Sequence, residues 1–139
     1  MKNKIVVDAN IIFSAMLKRN NRFLEILYDD RNEYYSPNFI IVELFKNKEK
    51  IKNFTKLKDL ELIEIFKSLI ELINFIPLKE IDNKSLKIAK EITPDLLDVP
   101  FVALTLFLNA KLWTGDIKLC NSLKERGYNI CIKTSELIE

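Results

Sequence analysis

Histidine is absent from the 139 residues of this chain. Its absence removes imidazole general acid–base catalysis, Ser-His and Cys-His nucleophile pairs, and most catalytic zinc sites. Glycine occurs only as Gly115 and Gly127. No glycine-rich loop is therefore available to cradle phosphate, which excludes P-loop and dinucleotide-binding motifs. The two cysteines, Cys120 and Cys131, lack CxxC spacing and read as reduced thiols of a cytosolic protein. No apolar run reaches the ~18 residues of a membrane span. The opening MKNKIVVDAN has its short apolar stretch broken by Asp8, and no small-residue cleavage site follows, so it does not read as a signal peptide. A cytoplasmic location is expected. Chemistry in such a chain has to run on carboxylates, lysines, hydroxyls or a bound hard cation.

What is present is an apolar share of 48% beside 30% charged residues, the balance of a globular chain able to bury a core. Lys4 opens a strand whose body is Ile5 to Val7, Asp8 ends it, and a helix starts directly after. A second helix is expected from Asn21 to about Tyr28, where Phe23, Ile26 and Leu27 recur at helical spacing. EYYSP reads as a strand closed by Ser36 as N-cap, with Pro37 at the first helical position. The next helix runs through Glu43 into a lysine-rich tail. LKDLELIEIFKSLIELI predicts a long amphipathic helix with Leu60, Ile63, Phe66, Leu69 and Ile73 along one stripe. NFIPL is a brief strand, and Asp82 or Asn83 caps a helix to about Lys90. Asp98 opens DVPFVALTLFLNA. KLWTGD is a strand entering a turn, IKLCNSLKERG a helix ended by Gly127, and YNICI a last strand. TSELIE has the signature of a terminal helical turn. Strands alternating with helices predict a central parallel sheet with helices on both faces. No linker, repeat or low-complexity tract divides the chain, so residues 1–139 are read as one α/β domain.

In such folds ligands sit at the carboxyl ends of strands, near the switch in strand order. Asp8 and Asp116 fall at strand ends, Asp98 at the mouth of a helix, and Glu43 breaks the apolar run NFIIVELF. Each has a structural explanation as well: Asp8, Asp98 and Asp116 as helix caps, Glu43 as a solvent-facing side chain. Together they form a set of like charges that needs a cation or proton among them. With oxygen donors and no histidine, the matching ion is Mg²⁺ or Mn²⁺.

IVVDANIIFSA, the glutamate of IIVELF, DLLDVPFVALTL and LWTGDIKL together resemble a PIN domain, the nuclease fold common among toxins of prokaryotic toxin–antitoxin pairs. The matching segments run from Ile5 to about Leu119. The resemblance implies that Asp8, Glu43, Asp98 and Asp116 bind one or two divalent ions and hydrolyse RNA. Asp8 and Asp116 would be direct ligands; Glu43 and Asp98 would complete the shell through waters or hold a second ion. Asn10 stands where such proteins often carry a small polar residue near the metal's waters. Thr114 matches the hydroxyl residue that often precedes the last acid. Asp95 is a rival to Asp98, which is preferred because it directly opens the VPFVAL helix. Leu96, Leu97 and Val99 depart from the polar or smaller residues often found there. The resemblance also implies an antitoxin protein partner and a homodimer; the lack of a long apolar run leads to the expectation of no membrane association.

FKNKEKIKNFTKLK begins just beyond Glu43. Its Lys46, Lys48 and Lys50 would contact RNA, or equally form a solvated helix end. Two alternatives to the nuclease stand beside it. One is a catalytically inactive PIN-like module that binds RNA or protein. The other is an aspartyl-phosphate phosphatase of haloacid-dehalogenase type, which wants a second acid where this chain has Asn10. A receiver domain would need an acidic pair ahead of Asp8, which MKNKIVV does not supply.

Overall fold

The computed structural model describes residues 2–17 and 21–138. β1 (Asn3–Val7) leads through α1 (Ala9–Ala15) and α2 (Arg22–Leu27) to β2 (Asn32–Pro37). Three helices follow: α3 (Phe39–Lys46), α4 (Lys48–Thr55) and α5 (Asp59–Leu72). β3 (Ile73–Ile76) precedes α6 (Asn83–Ile92), a 3₁₀ turn at Leu96–Asp98 and α7 (Val99–Leu108). The chain closes with β4 (Lys111–Trp113), α8 (Ile117–Glu125), β5 (Cys131–Ile132) and α9 (Thr134–Leu137). Among the described residues no helix is long and apolar enough to cross a membrane.

All four strand pairings are parallel and the order is β3-β2-β1-β4-β5. The chain steps outward from β1 through β2 to β3, then returns to place β4 on the other side of β1. Crossovers of one hand therefore carry their helices to opposite faces of the sheet. The topological switch lies between β1 and β4, where such sheets open a crevice at the strands' carboxyl ends. Single α/β domain architecture with a parallel central sheet is as the sequence predicts.

Ile5, Val6 and Val7 are buried, as expected for a central strand covered on both sides. Trp113, fully buried, packs against Tyr34 and Phe23 with ring centroids 6.1 and 6.2 Å away. The Tyr34 hydroxyl donates to the Ile26 carbonyl at 2.8 Å, which satisfies its polar end inside the core. α7 is apolar all round and runs buried from Phe101 to Thr105. Thr105 fits there because its hydroxyl donates to the Phe101 carbonyl at 2.7 Å.

Several local readings of the sequence are corrected. Ser36 is not a helix cap: β2 continues through Pro37, because Ser36 and Pro37 pair with Phe75 and Ile76 of β3. The buried Ser36 hydroxyl instead donates to the Val7 carbonyl at 3.1 Å, tying β2 to the end of β1. Asn38 takes the position before α3 without a side-chain cap bond. The lysine-rich tail is a separate helix, α4. On α5 the buried side chains are Ile65 and Leu69, whereas Leu60 and Ile63 of the predicted stripe are 75% and 61% exposed. Ile73 opens β3. Asp82 caps α6, accepting from Ser85 N at 2.8 Å, and Gly127 takes φ +89° just after α8, a left-handed geometry that glycine adopts without steric cost. The predicted terminal turn is α9; Glu139 lies outside the described residues.

The cysteines are also corrected. Cys120 and Cys131 are joined in a disulfide, with Cα atoms 5.9 Å apart. Cys120 lies one turn into α8, and the pairing of β5 on β4 sets Cys131 opposite Leu112, within reach. They are 11 positions apart in sequence, and the fold turns that interval back on itself.

Candidate functional site

The carboxyl ends of β1 and β4 lie side by side, with Val7 in register with Trp113. The Asp8 backbone N–H donates to the Trp113 carbonyl at 3.0 Å, so the first residue beyond β1 is locked to the end of β4. Asp8 is 7% exposed. A buried carboxylate requires partners, and both oxygens have one. Oδ1 accepts from the Ala9 N–H at 2.9 Å, and Oδ2 accepts from the Thr114 hydroxyl at 2.7 Å. Burial raises the Asp8 carboxyl above the ordinary Asp range, the bonds from Thr114 and Ala9 lower it, and the charge of Asp116 raises it; the net direction is up.

Thr114 links two acids. Its oxygen donates to Asp8 and accepts from the Asp116 N–H at 3.1 Å. Asp116 caps α8, its Oδ1 accepting from Leu119 N at 3.0 Å. Asp8 and Asp116 are thus both helix caps and neighbours across one hydroxyl. The cap explanation holds for each and does not separate them from a common site.

Asp98 differs. It precedes α7 but makes no side-chain cap bond. Half-buried, its carboxyl is pushed up to about 6, first by burial and then by the charges of Asp8, Asp95 and Asp116. The alternative of Asp98 as a side-chain cap of α7 is not met; Asp95 caps the preceding 3₁₀ turn, its Oδ1 accepting from Leu97 N at 2.9 Å. Asp95 is exposed, at the rim.

These four aspartates form one electrostatic set. Glu43 is the fourth acid of the sequence-derived set. It lies half-buried on α3, where its backbone carbonyl accepts from Asn47 N at 3.1 Å and from Asn47 Nδ2 at 2.8 Å. α3 leaves the same end of the sheet from β2, and Phe39 at its start meets Phe101 of α7 edge-on at 5.8 Å. Asn10 is exposed in the first turn of α1, its carbonyl accepting from the Ser14 hydroxyl at 2.8 Å. Lys46 and Lys50 are exposed, and the Lys48 ammonium sits 4.1 Å from the Phe45 ring centroid.

The donor set of Asp8, Asp98 and Asp116 fits a hard divalent ion: oxygens only, like charges that push Asp8 and Asp98 up, and in Asp98 a carboxylate free of capping duty. Among the described residues, no three acids or cysteines already stand at the spacing of a closed metal site.

Sequence reasoning singled out Leu96 and Leu97 beside Asp98 but missed Ile117 and the groove beside Asp116. Leu96 and Leu97, beside Asp98, are each 79% exposed, and Ile117, beside Asp116, is 72% exposed. A cavity of about 700 Å³ runs from Thr114 and Asp116 along α8 to Lys124 and, across it, Lys133. Its signal was present in the outward spacing of Ile117, Asn121 and Lys124 on α8.

No match is found among curated proteins. A family model described as a PIN domain, a generally nucleolytic fold whose members typically bind divalent metals, matches residues 6–130. The match takes in the end of β1, the mouth of α7 and the turn into α8, so Asp8, Asp98 and Asp116 all fall inside it, and the chain belongs to the PIN-domain family.

Proposed function

We propose that this chain is an endoribonuclease that hydrolyses RNA phosphodiesters with Mg²⁺ or Mn²⁺, and that it is the toxin of a toxin–antitoxin pair. The observation that supports this reading best is the convergence of Asp8, Asp98 and Asp116 at the β1–β4 switch, with Thr114 bridging two of them. Asp8 and Asp116 would hold one ion directly, with Asp98 and Glu43 completing its shell or holding a second. When bound, such an ion supplies hydroxide from water near neutral pH and offsets charge developing on the phosphate.

The chain's own residues do the positioning. Thr114 and the Ala9 N–H hold the Asp8 carboxylate in one orientation, and the α8 cap holds Asp116. Asn10, exposed one turn from Asp8, is placed to hydrogen-bond water or substrate. Membership in the PIN family favours this chemistry over the phosphatase alternative. The exposed Phe45, Leu60 and Ile63 support a protein partner on the α3–α5 side, either a second copy or an antitoxin.

Incubation of purified protein with labelled RNA in Mg²⁺ or Mn²⁺, then in EDTA, tests the reading. Cleavage that stops on chelation and fails in Asp8→Asn supports it, and cleavage that survives exhaustive chelation overturns the metal mechanism. The acids that stop short of ligating spacing favour one second reading, a PIN-like module that binds RNA without cutting. Retained RNA binding with no cleavage under any divalent ion would select that one.

A further inference from the structure

We propose that the groove between α8 and β5 binds the single-stranded RNA segment next to the cleaved phosphate. The inference rests on the nuclease reading and adds where the strand runs.

The groove, about 700 Å³, begins at the acids with Thr114 and Asp116. α8 forms one wall. Leu119 and Leu123 turn into the core, which leaves Ile117, Asn121 and Lys124, spaced at i, i+4 and i+7, along its outer face. The opposite wall is β5 and the residue after it, Lys133. Cys120 and Cys131 line the space and are bonded to each other, so its walls are cross-linked. At 1.5 Å per residue, Lys124 lies roughly 12 Å along the helix from Asp116.

The chemistry along this length matches a nucleotide chain. An acidic end suits the metal-bridged phosphate, an exposed aliphatic side chain a base or sugar, an amide a base edge, and two ammonium groups further phosphates. Neither Lys124 nor Lys133 forms an ion pair with an acid among the described residues. Lys111 is already engaged, donating to the Asn129 carbonyl at 3.0 Å. Glu136 also borders the groove, but one of its oxygens accepts from Lys133 N at 3.0 Å at the start of α9. A duplex presents its bases stacked inside and is recognised over a broad shallow face, whereas unstacked single strands enter side-chain-lined grooves of this kind.

Binding of a short fluorescent single-stranded RNA, followed by anisotropy in EDTA across a salt series, tests the assignment. Lys124→Glu combined with Lys133→Glu should lower affinity about tenfold or more. It should also flatten the log–log salt slope by about 1.4, the value for two lost phosphate contacts on a single strand. Lys124→Gln with Lys133→Gln, which introduces no repulsion, should flatten the slope equally with a smaller loss of affinity. Unchanged affinity and slope in both double variants, with wild-type melting curves, would overturn the proposal. So would an equal loss for a duplex RNA of the same sequence. Hydrolysis of bis(p-nitrophenyl) phosphate by the wild type in Mn²⁺ is measured separately. Its absence would remove the nuclease reading while leaving the binding comparison decisive for the groove.

Discussion

The two flanks of the sheet treat their polar and apolar side chains differently. On the β4–β5 flank, Asp8, Thr114 and Asp116 share a continuous set of hydrogen bonds, and a disulfide staples α8 to β5. On the β2–β3 flank, Phe45, Phe54, Leu60 and Ile63 are largely exposed. A groove of about 500 Å³ there is lined by Phe45, Ile63 and Phe66, and its Lys52 is already paired with Asp59 at 2.7 Å. One flank holds its acids in place by hydrogen bonds, and the other leaves several large apolar side chains exposed on α3 to α5.

The largest effect that sharpens this contrast is on cleavage. Asp8→Asn and Asp116→Asn should each bring RNA cleavage below detection with the fold retained, since Asn caps about as well as Asp. Glu43→Gln, acting from the other flank, should cost only about 10- to 100-fold, as for groups that act through a metal's outer shell. Gel assays of the three proteins rank them, and equal losses would erase the distinction between flanks.

Next in size is the staple. Replacing both Cys120 and Cys131 by Ser should destabilise the protein by about 3 kcal/mol, from the entropy of opening an 11-residue separation. Thermal melts read this, and dithiothreitol should reproduce it in the wild type. Asp98 gives a smaller effect with a defined sign. Its folded-state carboxyl, pushed up to about 6 by burial and then by Asp8, Asp95 and Asp116, holds a proton that the unfolded chain has released. The native state therefore binds more protons between the ordinary Asp value and about 6, and metal-free stability falls as pH rises through that window. Asp98→Asn in EDTA should be more stable than wild type at pH 7.5, by about 1 kcal/mol after discounting for solvent screening. The two should converge near pH 4. A difference that does not change with pH would show that the aspartates do not sense one another.

The smallest expected change is on the β2–β3 flank. Charge reversal at Lys46, Lys48 and Lys50 should weaken RNA binding less, and flatten its salt slope less, than reversal at Lys124 and Lys133. The reverse ranking in the same anisotropy titration would move the RNA track to α3 and α4.

Legibility in the sequence followed local contrast. Asp8 and Asp116 were readable because an acid directly after a short apolar strand, or in the tight turn that follows one, has few places to go but the strand's end. Thr114 was readable through the resemblance, and its bond to Asp8 gives the physical reason. Ser36-Pro37 misled because the same pair signals a helix start, while the pairing that keeps it in β2 comes from Phe75 and Ile76, far along the chain. The stripe on α5 showed which side chains are apolar, not which of them have a neighbour to cover them. Glu43 was visible as an interruption in an apolar run, but its distance from the other acids depends on how α3 leaves the sheet. The disulfide needed an edge strand laid beside α8, which no spacing rule contains.

That staple also changes what a break in the chain means. Arg126 is exposed at the end of α8, followed by Gly127, and the stretch from Asn121 to Ile130 is closed at both ends by the Cys120–Cys131 bond. A protease that cuts after Arg126 would release no fragment. The C-terminal piece, with β5, Lys133 and the buried Leu137 of α9, stays covalently attached to the rest of the chain only through the Cys120–Cys131 bond. A nicked molecule would run as one band without reductant and as two with it.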